Sequence, residues 1–269
     1  MPDHPNRVCW PVLIYLLAGL LLLVGCAAPP PQDDGNLHNS ADADILRVGV
    51  ATNAPPLIYK QNGKIIGLEA EFAAEFAKYI GKTLQFVELS WENLIPALLK
   101  NKIDIIMSGM TRTPLREVRI AFTHRYLESG QTALIRREDA ARYSTGLFSI
   151  TTSSGIGVIK DTTGEFFVET RFTSVKKVVF RKSQDAVKAL IGKKIDMFIH
   201  DAPIILYLAS ENETNGLTAL FALLHQEDLA WAVRKDDRVL LDSANKFLTD
   251  TNNQEKLKKM IKYWIPFAQ

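Results

Sequence analysis

The fold class is decided by residues 94–116, which read LIPALLKNKIDIIMSGMTRTPLR. Apolar residues at helical spacing in 94–99 are followed by a polar link and then by the apolar run 103–107, whose length favours a buried strand. The strand ends in small polar residues, and a second helix start follows within a few positions. A helix, a buried strand and a polar strand end in this order predict an α/β fold.

The residues after this strand predict an anion site. Thr113 is a suitable N-cap and Pro114 suits the first helical position, so we expect Arg116 in the first turn of a helix. The hydroxyls of Ser108 and Thr111, free backbone amides, the helix dipole and a guanidinium group would together bind a carboxylate. The alternative is an ordinary capped helix with a surface arginine.

The same pattern occurs a second time in the chain. ALLKNKIDIIMSG (residues 97–109) is echoed by ALIGKKIDMFIHD (residues 189–201), and both strands end in polar residues. Ligands of parallel sheets bind at the carboxyl ends of strands. This internal repeat therefore favours two similar α/β lobes that face each other across a cleft, and the alternative is that the similarity arose by chance.

The first 26 residues form a separate segment. Arg7 precedes the apolar run 12–24, which is shorter than the roughly 20 residues of a membrane span but suits a secretory signal. The run ends in LVGC (residues 23–26), which resembles a bacterial lipobox and implies cleavage after residue 25 and a lipid on Cys26. We expect a signal peptide over 1–25 and a flexible tether over 26–44, and an uncleaved signal anchor is the alternative.

Composition argues against several functional classes. The formal net charge is +2, without a basic stretch that would indicate nucleic-acid binding. The only cysteines are Cys9 and Cys26, so we expect no disulfide in the mature domain. The five histidines show no metal-ligand spacing, and no nucleophile elbow or phosphate loop is present. The sequence therefore predicts no cofactor, no metal and no enzymatic activity.

From residue 46 to about residue 264 the chain resembles the bacterial extracellular solute-binding proteins of family 3, the amino-acid-binding components of ABC importers. The resemblance is carried by these segments: LRVGV (46–50), PP (55–56), GLE (67–69), residues 91–98, residues 102–116, FT (122–123), YLESG (126–130) and AVRKD (232–236). It implies a periplasmic-binding-protein-like α/β fold of two lobes joined by two crossing strands. We expect lobe 1 to comprise 45–133 and 229–269, lobe 2 to comprise 134–228, and the crossings to be 132–136 and 229–234.

The resemblance also implies a set of ligand-binding residues: Trp91, Ser108, Gly109, Thr111, Arg116, Thr162, Thr163 and Asp201. Arg116 and its neighbours would hold the α-carboxylate of an amino acid, and Thr162 and Thr163 would close on it from the second lobe. Asp201 would take the α-ammonium group or cap the following helix. Trp91 would form an aromatic wall or pack on the helix that it precedes.

Three positions depart from the family pattern. Ala51 stands where binders of cationic side chains carry an acid, and Ala54 stands where many members carry an aromatic ring. Asp161 stands where a glycine is usual and would either cap the next helix through the Gly164 amide or point into the cleft. The residues thus favour a small neutral ligand over lysine, arginine or histidine.

The function expected from the sequence is capture of a small amino acid or related carboxylate by a monomeric binder held at the cell envelope through lipid on Cys26. Its partner would be the permease of an ABC importer. The alternatives are a sensing or partner-docking protein, or a dehydratase of the cyclohexadienyl type on the same scaffold. The dehydratase would require a general acid such as His200 or Asp161.

Overall fold

The structure is a computed structural model that describes residues 44–143, 150, 154–220 and 222–267. These residues belong to one compact unit, His38–Gln269. The expected signal peptide, Cys26 and all of the tether except Asp44 lie outside the described residues.

The described residues form short strands and helices that alternate along the chain. The strands are β1 (Ile45–Val50), β2 (Asn53–Ala54), β3 (Ile58–Gln61), β4 (Lys64–Ile66), β5 (Thr83–Glu88), β6 (Ile105–Ile106), β7 (Ala121–Arg136), β8 (Gly155–Ile159), β9 (Lys176–Phe180), β10 (Met197–Asp201), β11 (Leu217–Ala219) and β12 (His225–Val233). The helices are α1 (Leu68–Tyr79), α2 (Leu94–Leu99), α3 (Pro114–Glu117), α4 (Thr163–Arg171), α5 (Ser183–Ile191), α6 (Ala202–Glu211), α7 (Arg238–Thr249) and α8 (Thr251–Trp264). None of these helices is long and apolar enough to cross a membrane.

One sheet runs through the fold in the order β5-β1-β6-β12-β7-β10-β8-β9. The strands β5, β1 and β6 are parallel and form what we call the first half-sheet. The strands β10, β8 and β9 are also parallel and form the second half-sheet. Between them lie the antiparallel strands β7 and β12, so both half-sheets join through this central pair.

Hydrophobic burial explains the packing of both half-sheets. One cluster includes Leu94, Leu98 and Ile106 next to the first half-sheet, and another includes Ile156 and Val158 in the second. The largest cluster extends along the sheet and contains aromatic rings of α1, β12 and α7 that pack in edge-on and tilted arrangements, namely Phe72, Phe76, Trp231 and Phe247. Each fully buried large side chain contributes about 1.5–3 kcal/mol, so this cluster anchors α1 and α7 against the central strands.

The predicted α/β class is confirmed, while several predicted boundaries are wrong. The strand expected over 103–107 is assigned only at Ile105–Ile106, although the amides of Asp104 and Met107 still bond to β1. The hairpins of β2, β3 and β4 had not been expected, because their residues lack a long apolar run. The strands β7 and β12 begin before the expected crossings, and β7 pairs with β12 along its first part and with β10 along its last.

Candidate functional site

A cavity lies where several strands end, and the space between its atoms is about 520 Å³ when the part open to solvent is included. Residues from the ends of β8 and β10, and from the segments after β1 and β6, contribute to its wall. The lining residues are Ala51, Asn53, Ala54, Leu57, Trp91, Ser108, Gly109, Thr111, Arg116, Ile159, Thr162, Thr163, Ser183, His200, Asp201 and Ile204. All eight residues expected to bind the ligand are among them, so the fold brings together positions that are up to 110 residues apart in the chain.

Arg116 supplies a guanidinium group to this cavity. Its Nη1 donates to the Thr111 carbonyl at 2.8 Å, and its Cζ lies 5.3 Å from the centroid of the Trp91 ring. Within the described residues, no ion pair joins Arg116 to a carboxylate. Burial lowers the pKa of Arg116, and the negative charges of Asp201 and Glu227 oppose this effect. A positive charge without an ion-pair partner at the cavity wall favours an anionic group of a ligand.

Helix α3 contributes less to this anion site than the sequence predicted. Thr113 is the N-cap and Pro114 begins the helix, as expected, but α3 is a single turn of 4 residues. The Thr113 hydroxyl accepts the Arg116 amide at 3.3 Å, so that amide is occupied. Ser108 Oγ accepts the Ala51 amide at 2.9 Å and keeps its own hydrogen for another acceptor. The side chains of Arg116 and Ser108, more than a helix dipole, make this corner suited to a carboxylate.

Asp201 supplies a buried carboxylate to the same cavity, with 7% of its surface exposed. It occupies the N-cap position of α6, yet its side chain makes no capping hydrogen bond. The side-chain capping alternative for Asp201 is therefore wrong. Asp201 Oδ1 instead accepts from Gln131 Nε2 at 2.5 Å. A carboxylate with one neutral donor retains lone pairs that can accept from a cationic nitrogen.

His200 does not supply that cation. Its Nδ1 accepts the Asp201 amide at 2.7 Å, so this nitrogen carries no hydrogen and the 3.6 Å approach to Asp201 Oδ1 is not a charged pair. The imidazole packs edge-on against Phe198. His200 thus reaches the cavity as a neutral ring in this arrangement.

At the start of α4, Thr162 caps the helix and Thr163 is its first residue. Thr162 Oγ1 donates to the Ile159 carbonyl at 2.7 Å and accepts the Glu165 amide at 3.4 Å, which makes Thr162 the N-cap. Asp161 is therefore not the cap, and it does not line the cavity. Both alternatives expected for its side chain are wrong, because Asp161 has a left-handed backbone (φ 61°) and its side chain lies beside Lys160.

The structure adds three residues that the sequence did not indicate. Gln131, on β7, lies between Asp201 on β10 and His225 on β12 in the sheet register. Glu227, on β12, accepts from Thr111 Oγ1 at 2.9 Å, from Gln131 Nε2 at 3.0 Å and from Thr163 Oγ1 at 3.1 Å. The only signal for Gln131 was a polar residue next to an apolar strand, and Glu227 gave no signal.

Glu69 is the third such residue and is fully buried. It accepts from the Gly109 amide at 2.8 Å, from the Tyr126 hydroxyl at 2.5 Å and from Trp231 Nε1 at 3.0 Å. Burial raises the pKa of Glu69 to about 7, and the three hydrogen bonds act in the opposite direction. Burial and the nearby charge of Asp201 likewise raise the pKa of Glu227, against its three hydrogen-bond donors.

Among the residues that the structure describes, no three His, Cys, Asp or Glu side chains are grouped as metal ligands.

The two parallel half-sheets, the central antiparallel pair and a cavity at the strand ends define an α/β solute-binding protein of the periplasmic-binding-protein type. The chain belongs to the bacterial extracellular solute-binding proteins, family 3, whose family model matches residues 46–267.

Individual relatives agree with this assignment. The chain is similar to the arginine-binding extracellular protein ArtP of Bacillus subtilis, at 25% identity over 250 residues that cover 91% of this chain and 96% of that protein. A mutant of ArgBP from T. maritima has a similar crystal structure, with a TM-score of 0.76, 30% identity and coverage of 83% of this chain and 96% of that one. An ancestral amino-acid-binding protein, described as a precursor of cyclohexadienyl dehydratase, matches with a TM-score of 0.76 and 28% identity over 82% of this chain and 95% of that chain.

Proposed function

We propose that this protein captures a small amino acid or a related carboxylate outside the cytoplasm and delivers it to the permease of an ABC importer. One observation on the described residues carries the proposal: a guanidinium without a carboxylate partner, Arg116, and a carboxylate without a cationic partner, Asp201, line the same cavity. A zwitterion would compensate both charges at once. The role of each expected ligand-binding residue and the lipid on Cys26 are parts of this proposal.

The remaining wall favours a neutral ligand side chain. Asp201 is the only acid among the described cavity residues, and Ala51, Ala54 and Leu57 add apolar surface to the wall. On β5, near this region, Glu88 is paired with Lys60 at 2.7 Å and accepts from Thr52 at 2.5 Å. An arginine or lysine ligand would therefore lack an acid for its side chain, although two of the similar proteins are named as arginine binders.

Ligand capture would close two lobes on each other. We propose lobe 1 as 45–133 and 229–269 and lobe 2 as 134–228, with β7 and β12 as the crossing strands that bend. The central position of these two strands between the half-sheets supports this division. Trp91 Nε1 donates to the Asp161 carbonyl at 2.9 Å, which is a contact between the proposed lobes.

Calorimetry on the domain from residue 45 with the twenty L-amino acids, separately, tests the proposal. We expect binding of neutral amino acids, and Arg116→Ala and Asp201→Ala should each weaken it by about 2–5 kcal/mol, because truncation leaves a buried ligand charge uncompensated. This corresponds to roughly 30-fold to several thousand-fold in Kd. Arg112→Ala is the matched control, since Arg112 is an exposed arginine of the same segment that pairs with Glu117.

Ligand editing separates this function from others. Removing the α-amine of the bound amino acid should reproduce the loss caused by Asp201→Ala, and the two losses should not add. Equal binding of deaminated ligands by the wild type would contradict an amino-acid binder. Micromolar binding of arginine without binding of neutral amino acids would contradict the proposed side-chain preference.

A dehydratase remains the second candidate because of the similarity to the precursor of cyclohexadienyl dehydratase. Incubation with a cyclohexadienyl acid, followed by absorbance of an aromatic product, tests it. Turnover that is lost in a His200→Ala variant would favour the enzyme over the binder.

A further inference from the structure

Five polar side chains form a cluster at the rear wall of the cavity, which we call the Glu227 cluster. Its members are Thr111, Gln131, Thr163, Asp201 and Glu227. Glu227 itself is 9% exposed and does not line the cavity, whereas both threonines and Asp201 do. It therefore touches the cavity only through other residues.

The hydrogens in this cluster can be assigned from its contacts. An ionised Glu227 has no hydrogen to give, so the hydroxyls of Thr111 and Thr163 must each donate to its Oε2. Gln131 Nε2 has three acceptors within hydrogen-bond distance, Asp201 Oδ1 at 2.5 Å, Glu227 Oε2 at 3.0 Å and Thr163 Oγ1 at 3.1 Å, and shares its two hydrogens among them. Both hydroxyl hydrogens therefore point to Glu227 and not into the cavity. Each threonine oxygen keeps a lone pair for a donor in the cavity, although Thr163 Oγ1 also accepts from Gln131.

We infer that Glu227 is a positioning residue that makes this corner of the cavity specific for the cationic nitrogen of the ligand, by holding the hydroxyl hydrogens of Thr111 and Thr163. The inference rests on the proposed function and deepens it. It also revises the expectation that Thr163 closes on the ligand carboxylate.

Charge leads to the same assignment. The corner contains the carboxylate of Asp201, the carboxylate of Glu227 behind it and the lone pairs of two hydroxyls. An ammonium group there meets acceptors on each of these sides. A carboxylate there would meet two negative charges and no hydroxyl hydrogen, so it binds instead at Arg116 and at the free hydroxyl hydrogen of Ser108.

The test uses three probes for each variant: the neutral L-amino acid that the wild type binds most tightly, its deaminated acid and its decarboxylated amine. In Glu227→Gln the threonine hydroxyls can turn towards the cavity and one negative charge is lost. We expect affinity for the amino acid and for the amine to fall at least 10-fold, and affinity for the deaminated acid to stay constant or rise. Asp228→Asn is the matched control, because Asp228 is an acid of the same strand whose carboxylate pairs with Arg125 outside the cavity.

A second variant keeps the test decisive if Glu227→Gln does not fold, which circular dichroism would show. Thr163→Val removes one hydroxyl and leaves β12 unchanged. We expect its affinity for the amino acid and for the amine to fall about 3- to 10-fold, and its affinity for the deaminated acid to stay unchanged. An equal loss of affinity for the amino acid and for the deaminated acid would show that Thr163 donates to the ligand carboxylate and would overturn the inference.

The two proposals fail in different ways. A wild-type protein that binds none of the twenty amino acids contradicts the proposed function before any variant is made, and this inference falls with it. A wild-type protein that binds an amino acid, combined with unchanged probe preferences in Glu227→Gln, contradicts only the role of Glu227.

Discussion

At the residue scale, Glu69 connects the cavity to the centre of the sheet. Its carboxylate accepts from Gly109 in the cavity wall, from Tyr126 on β7 and from Trp231 on β12. The three donors come from separate elements, so a single side chain fixes the cavity loop relative to both central strands. The sequence suggested only an acid in the first turn of α1, where solvent exposure would be ordinary.

The raised pKa of Glu69 predicts a pH-dependent stability. The folded protein holds this proton up to about pH 7, whereas the unfolded chain releases it near the ordinary value of 4.5. The folded state therefore binds more protons between these values, and its free energy of unfolding should fall by about 3 kcal/mol as the pH rises from 4.5 to 7. Urea denaturation at several pH values measures this change.

The decline should be absent in Glu69→Gln, which cannot titrate. That variant should also be less stable at pH 5. The amide nitrogen of glutamine takes the place of one carboxyl oxygen, and a nitrogen that carries two hydrogens cannot accept from Gly109 or from Trp231. Glu71→Gln, on the same helix, is the control and should retain the decline. Parallel pH curves for the wild type and Glu69→Gln would show that Glu69 titrates normally.

At the element scale, the cavity depends on the loop that follows β6. Gly109 has φ +66°, in the left-handed region that glycine adopts without strain. A Cβ at Gly109 would lie 2.7 Å from Leu57 Cδ1, and Leu57 is fully buried. The loop can therefore turn its amide towards Glu69 only because this position has no side chain.

Gly109→Ala should thus cost more than the backbone strain alone. Gly63 provides the comparison, since it has φ +78° and no described atom within 4 Å of the point where a Cβ would lie. We expect Gly63→Ala to destabilise the fold by about 1 kcal/mol, the cost of a left-handed backbone for a residue with a Cβ. Gly109→Ala should cost roughly 2–3 kcal/mol and weaken ligand binding. Thermal unfolding together with calorimetry measures both effects, and equal stability losses with intact binding would argue against a crowded loop.

At the scale of the whole molecule, three contacts join the two proposed lobes. The indole of Trp91 reaches the Asp161 carbonyl, Glu92 pairs with Arg181 at 3.0 Å, and Tyr59 packs on Tyr207 at 6.0 Å between ring centroids. The ion pair is exposed and should contribute less than about 1 kcal/mol. The Trp91 contact lies at the cavity and also supports Arg116.

Trp91→Phe should therefore reduce closure. The ring is kept, but the hydrogen bond to Asp161 is lost, and a net hydrogen bond is worth about 0.5–1.5 kcal/mol. We expect ligand affinity to fall roughly 2- to 12-fold and the ligand-induced contraction in X-ray scattering to become smaller. Glu92→Gln should change either quantity much less. Wild-type affinity and full contraction in Trp91→Phe would show that this contact does not stabilise a closed state.

Attachment to the membrane is a second prediction at this scale. Cys26 follows a leader that resembles a lipobox, so labelled palmitate should be incorporated into the wild type and into Cys9→Ala, but not into Cys26→Ala. Membrane fractionation should place only the labelled forms with lipid. Labelling of all three proteins to the same extent would contradict lipidation at Cys26.

The sequence by itself determined the α/β class, the order of most main elements and eight of the residues that line the cavity, several of them through the resemblance to a family. These features depend on local patterns: apolar periodicity, the N-cap at Thr113, and polar residues at the ends of apolar runs. Strand ends converge in an α/β sheet, so Ser108 and Asp201 could be expected at one cleft from their place in the chain alone.

Only the tertiary structure decided how the polar groups are partnered. Gln131 and Glu227 lie on neighbouring strands that pair through long-range register, and their contacts with Thr111 and Thr163 span 32 to 116 residues of sequence. The burial of Glu69 depends on the packing of α1 against β7 and β12. Hydrogen-bond partners and desolvation arise from packing between distant segments, and a single sequence carries no local signal for either.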